Sequence, residues 1–119
     1  MDKDPIFEER RRCPRYKINI PAKILLEYRN IPCTIINISE IGLGILTPEK
    51  LEISSEFNIE IDCSNYLNET SAILLKTIVV WTTTEKSGDM FRAGLSVMDS
   101  LEKDALLLRK VIKEIQKGT

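Results

Sequence analysis

Apolar and polar residues alternate along most of this chain, and a period of two predicts half-buried strands. Ile18, Ile20, Ala22, Ile24 and Leu26 alternate with Asn19, Pro21, Lys23 and Glu27, with Leu25 breaking the polar row. Pro21 has no amide proton, which places this first strand at an edge or a bulge. Arg29-Asn30 reads as a hairpin turn. Residues 32–38, rich in β-branched Thr34, Ile35 and Ile36, read as a second strand. Gly42 and Gly44 punctuate a tight turn, and residues 43–47 form a short third strand. Phe57, Ile59 and Ile61 alternate with Asn58, Glu60 and Asp62 in a fourth. A polar loop over residues 64–70 leads to a long fifth strand over 72–81, ending in Trp81. Lys86-Ser87-Gly88-Asp89 is turn chemistry, and residues 91–98 make a sixth strand.

The period then changes. Leu101, Ala105, Leu108, Ile112 and Ile115 recur at steps of four and three, one face of a helix over residues 100–117. Asp99 with Glu102 three residues later resembles a capping box, and Lys117 and Gly118 suit a C-terminus. Six short strands with hairpin-length connections and one terminal helix predict a mainly β domain, an antiparallel barrel or rolled sheet.

Composition narrows the function. The 119 residues suit one domain, and 17 Lys+Arg against 18 Asp+Glu leave a net charge of −1. A nucleic-acid coat protein or a polybasic membrane binder would be basic. No His is present, which removes Ser/His and Cys/His pairs and the commonest metal ligand. Cys13, Cys33 and Cys63 fit neither a disulfide framework nor a zinc motif, and read as idle thiols of a reducing cytosol. No signal-peptide core and no run of about 18 apolar residues occurs. The expectation is a cytoplasmic protein without membrane insertion. With no paired carboxylates, P-loop or metal cluster, it is not an enzyme.

Two short signatures carry the chemistry. Residues 1–9 read as a flexible arm, after which Arg10, Arg11, Arg12, Arg15 and Lys17 fall within eight positions. Arg11-Arg12-Cys13-Pro14-Arg15 is an R-x-x-x-R, with Lys17 outside it. Asn37-Ile38-Ser39-Glu40-Ile41-Gly42 is an N-x-S-x-x-G at the end of the second strand. A guanidinium matches phosphate oxygens or the O6/N7 edge of guanine in bidentate fashion and stacks on purine faces. Asn37 and Ser39 share a strand face by alternation and offer donors and acceptors to one base edge. Gly42 adopts positive φ or admits a ligand close to the backbone. Taken singly, the arginine run is a solvated surface, Asn-x-Ser is a local turn, and Trp81 closes the core rather than forming a stacking platform.

Together and in this order, the two signatures resemble those of the PilZ domain family, R-x-x-x-R followed by D/N-x-S-x-x-G. Thr77-Ile78-Val79-Val80-Trp81 resembles the family's valine-rich strand ending in Trp. Arg92-Ala93-Gly94-Leu95-Ser96-Val97 resembles its later glycine-containing strand, with Val97 where Phe is frequent. The resemblance covers roughly residues 10–115. It implies a six-stranded antiparallel β-barrel with a C-terminal α-helix, laid out as an arginine loop over 10–16, a barrel over 17–98 and a helix over 100–117. It implies a non-catalytic receptor for cyclic di-GMP with no cofactor, using Arg11, Arg15, Asn37, Ser39 and Gly42, with Arg10 and Arg12 as further cations. Asn37 stands where Asp is commoner and is neutral, so its hydrogen bonds are weaker. Arg10 adds a partner for more phosphates, which suits two stacked ligands. The expected mechanism is ordering of the arginine loop by the anionic ligand, with Ile6 and Phe7 joining a surface for a protein partner in motility, adhesion or polysaccharide machinery. The alternative is a PilZ-like interaction adaptor independent of nucleotide. A single-stranded nucleic-acid barrel would need a basic groove with more aromatics.

Overall fold

In a computed structural model, residues 16–67, 72–85 and 88–118 are described. Six strands follow one another: β1 (Tyr16–Leu25), β2 (Asn30–Ile38), β3 (Gly42–Thr47), β4 (Glu56–Asp62), β5 (Ala72–Thr84) and β6 (Phe91–Val97). One helix, α1 (Glu102–Lys117), ends the chain. The strands close into an antiparallel barrel in the order β1-β2-β3-β6-β5-β4, as the alternation predicts. Closure follows from β1 pairing with β2 on one side and β4 on the other. The β4 ladder begins only at Ala22, so Pro21 lies where β1 has described ladder partners on the β2 side alone and its missing donor is harmless.

The inward positions of the alternating pattern fill the barrel. Ile20, Ile24, Ile35, Ile45, Ile59, Ile61, Ile73, Leu75 and Leu95 are each at most 2% exposed, a branched aliphatic core without histidine or tryptophan. Thr47 and Thr77 are polar exceptions on the strands, both 0% exposed, and the Thr77 hydroxyl donates to the Phe57 carbonyl at 3.0 Å. α1 contributes Leu108, Val111, Ile112 and Ile115 to the same core.

Several local expectations are corrected. The first turn is Leu26 to Arg29, closed by the Leu26 amide donating to the Arg29 carbonyl at 2.9 Å, and Asn30 already pairs with Leu25. Gly42 and Gly44 both lie within β3 rather than in the turn before it. β5 continues past Trp81 through Thr82, Thr83 and Thr84, because β-branched residues suit the pleat. The capping box does not form. Asp99 accepts the Lys76 amide at 3.3 Å and so prolongs the sheet, which moves the N-cap to Leu101, extended, 69% exposed and without a side-chain cap. The first-turn acid Asp104 instead turns inward, 3% exposed, and accepts the Leu74 amide of β5 at 3.2 Å. Gly118 ends the helix in right-handed conformation, its amide donating to the Ile115 carbonyl. The turn after β5 is as expected where described: Gly88 takes φ +80° and donates to the Glu85 carbonyl.

Candidate functional site

Cross-strand register brings one row of outward positions together across five strands. Lys17 pairs with Asn37, Asn37 with Gly44, Gly44 with Gly94 and Gly94 with Trp81. Two bulges aim this row. In β2 the register shifts between Ile35 and Asn37, so Ile36 is an extra residue. In β5 it shifts between Val79 and Trp81, with Val80 extra and exposed. Ile35 and Val79 face the core, and unbroken alternation would send Asn37 and Trp81 inward as well. Each bulge reverses that parity and turns the side chain out.

The two glycines form the floor. A Cβ at Gly44 would come within 2.7 Å of Asn37 Cγ, and one at Gly94 within 2.7 Å of Trp81 Cδ1 and closer still to Nε1. Asn37 and Trp81 therefore lean over a backbone surface that only glycine leaves open. Trp81 is half-buried against Gly94 on the outside of the barrel. This corrects the reading of Trp81 as a core residue and adds it to the candidate site. The missed signal is the pair of glycines at matching positions of β3 and β6.

Ser39 and Gly42 sit beside this row, toward the β2–β3 turn. Ser39 lies just past β2 and is 1% exposed. Its Oγ accepts the amides of Gly42 at 3.1 Å and Ile41 at 3.3 Å, and lies 3.3 Å from the Gly42 carbonyl, to which it can donate. One proton and two lone pairs are thereby all engaged. Ser39 does not share an exposed face with Asn37, because the strand ends at Ile38 and the chain turns. Gly42 opens β3 opposite Ser96, and Gly88 is the glycine of positive φ among the described residues, so the expected positive φ at Gly42 is not found.

The arginine positions Arg10, Arg11, Arg12 and Arg15 fall outside the described residues, as does the expected arm over 1–9. What is described is where that segment joins the barrel. Tyr16 opens β1 opposite Ile38, and Lys17 stands opposite Asn37, so Lys17 belongs to the row although it lies outside the R-x-x-x-R. Two contacts tie this corner to α1. The Tyr16 hydroxyl accepts from Gln116 Nε2 at 2.7 Å, and Arg109 Nε donates to Glu40 Oε1 at 3.3 Å. On the next row toward the β5–β6 turn, Arg92 is ion-paired to Glu85.

With this geometry in hand, the family model for the PilZ domain matches residues 9–114, most of the chain. The chain belongs to the PilZ domain family. Solved PilZ proteins share its fold. The Bacillus subtilis inhibitor of motility MotI superposes with a TM-score of 0.74 at 16% identity, over 92% of this chain and 51% of that one. The PilZ domain of Escherichia coli YcgR, solved with cyclic di-GMP, gives 0.70 at 13% identity, over 92% of this chain and 93% of that one. The K. pneumonia MrkH–cyclic di-GMP complex gives 0.76 at 15% identity, over 92% and 53%. The chain thus spans about half the length of MotI and MrkH and nearly all of the isolated YcgR domain. No curated protein sequence matches it. No helix among the described residues is long and apolar enough to cross a membrane, and no described cluster of Cys, Asp and Glu is arranged to hold a metal.

Proposed function

We propose that this PilZ domain is a non-catalytic, cytoplasmic receptor for cyclic di-GMP. The observation that carries the reading is the outward row of Lys17, Asn37, Gly44, Gly94 and Trp81 directly beside the point where the R-x-x-x-R segment enters β1. A cyclic dinucleotide needs planar surfaces for its bases, amide or carboxyl groups for base edges, and cations for two phosphates. The glycine floor with the Trp81 indole offers the first. Asn37 offers the second. Arg11 and Arg15, with Arg10, Arg12 and Lys17 around them, offer the third. Ser39 acts by holding the turn that ends in Gly42 rather than by reading a base itself. Ligand binding orders the arginine segment against this face and creates a surface for a protein partner in motility, adhesion or polysaccharide secretion. The cyclic di-GMP held in the related YcgR and MrkH structures supports the ligand class.

Calorimetric titration with cyclic di-GMP, cyclic di-AMP and a single-stranded oligonucleotide tests the reading. Cyclic di-GMP should bind far more tightly than cyclic di-AMP, because adenine lacks N1–H, O6 and the 2-amino group, and each unpaired buried polar group costs roughly 1–3 kcal/mol. Equal affinity for the two dinucleotides would remove the guanine-reading role. No binding of either would leave the nucleotide-independent adaptor.

A further inference from the structure

The signatures legible in the sequence supply cations from one flank of the row, the β1 side. A cyclic dinucleotide carries two phosphates, and the opposite flank is formed by β3, β6 and β5. The described outward positions beside the row there are Gly42, Gly44 and Leu46 on β3, Gly94 and Ser96 on β6, and Ile78, Val80, Trp81 and Thr83 on β5, none of them cationic, while Lys76 lies further along β5, opposite Asn58 of β4. Among the described residues, Arg92 is the cation nearest the glycine floor on that flank. It lies two residues from Gly94 on the same face, roughly 6.6 Å along the strand. Its guanidinium is turned away from the glycine floor and ion-paired to Glu85, at the far end of the β5–β6 ladder. Both side chains are partly exposed, Arg92 at 49% and Glu85 at 29%, so the pair is free to exchange partners. Glu85 is fixed from behind: its amide donates to the Met90 carbonyl at 2.9 Å and its carbonyl accepts from Gly88.

We propose that Arg92 is a second-flank phosphate ligand and that Glu85 is its built-in competitor, setting the affinity by holding the guanidinium until a phosphate displaces the carboxylate. This rests on the cyclic di-GMP reading above. An exposed ion pair is weak, so a singly charged phosphodiester that meets both ends of the guanidinium fork can win the exchange, and the competitor lowers affinity only modestly.

Titration of cyclic di-GMP into the wild type, Glu85→Gln, Arg92→Gln and the double variant tests this, with thermal melting of each. Glu85→Gln should bind about two- to fivefold more tightly, and Arg92→Gln about tenfold more weakly. In the double variant Glu85→Gln should confer no gain. Should Glu85→Gln leave affinity unchanged and lower only the melting temperature, the pair is a hairpin brace and the proposal falls. An equal gain from Glu85→Gln with and without Arg92 would assign the effect to general charge, and the proposal also falls. Wild-type protein that ignores cyclic di-GMP would overturn the receptor reading and this inference together, whereas normal wild-type binding with silent variants overturns the inference alone.

Discussion

At the scale of single residues, the site depends on atoms that are missing as much as on those present. Gly94 has no Cβ, and the Trp81 indole lies where one would be. Gly94→Ala should force the indole off the sheet, destabilising the protein by about 1–3 kcal/mol. Since Trp81 is the sole tryptophan, its emission should shift to the red as the ring enters water. Gly118→Ala, whose Cβ would meet its nearest atom at 3.6 Å, is the control and should leave emission unchanged. Unchanged emission in Gly94→Ala would mean that the indole does not rest on that floor. The two described thiols give a second test. Burial raises the Cys33 pKa from 9.0 to about 11. Burial, aided by the neighbouring Asp62 charge, does the same for Cys63. In the unfolded chain both ionise near their ordinary value, so the unfolded state is favoured once pH exceeds about 9. Their contribution is intact below pH 9 and lost as pH rises through 11. Urea unfolding at pH 8, 9 and 10 should show falling stability, with a shallower fall when Cys33 and Cys63 are both replaced by Ala.

At the scale of elements, the strands were legible because a barrel wall has one wet face and one dry face, so period two is enforced at nearly every position. Ile59 and Ile61 against Asn58 and Glu60 illustrate this. What alternation hides is the bulge. From Val79, counting by twos sends Trp81 to the core; only the extra Val80 turns it outward, and nothing local in Val79-Val80-Trp81 announces that. Asn37 was assigned to the site from its motif, yet its outward aim depends on Ile36 in the same way. The start of the helix departs from its sequence pattern for a different reason. Asp99 and Glu102 have capping-box spacing, but the Asp99 carbonyl is committed to β5. The functional acid is Asp104, which caps a strand amide instead. Leu74 pairs with Glu60 on one side, and its amide points to α1 where β6 no longer reaches. Asp104→Ala should leave that amide without its acceptor and cost about 1–3 kcal/mol in chemical denaturation. Glu102→Ala, exposed in the same turn, should cost well under 1 kcal/mol. Similar losses for both would show that Asp104 matters only through the helix dipole.

At the scale of the whole molecule, a net charge of −1 conceals a divided surface. The outward face of β4 carries Glu56, Glu60 and Asp62, while the arginine signature enters at Tyr16 beside Lys17 and Asn37. The barrel is the rigid part of this arrangement: a closed ladder offers no free edge, so a ligand on the Asn37–Trp81 row meets a fixed surface. The same corner holds α1 through Tyr16–Gln116 and Glu40–Arg109, which links the proposed ligand face to the helix without passing through the core. The central claim is that the arginine signature grips the ligand from the β1 flank of this row. Isothermal titration of cyclic di-GMP into the wild type, Arg11→Ala, Arg15→Ala and Lys103→Ala tests it most directly. A charge-assisted hydrogen bond contributes roughly 1.5–3 kcal/mol, so either arginine variant should bind about 10- to 150-fold more weakly. Lys103→Ala, on the exposed face of α1, should bind within about twofold of the wild type. If all three variants lose affinity equally, or the two arginine variants lose none, the signature is not the grip and the account is wrong.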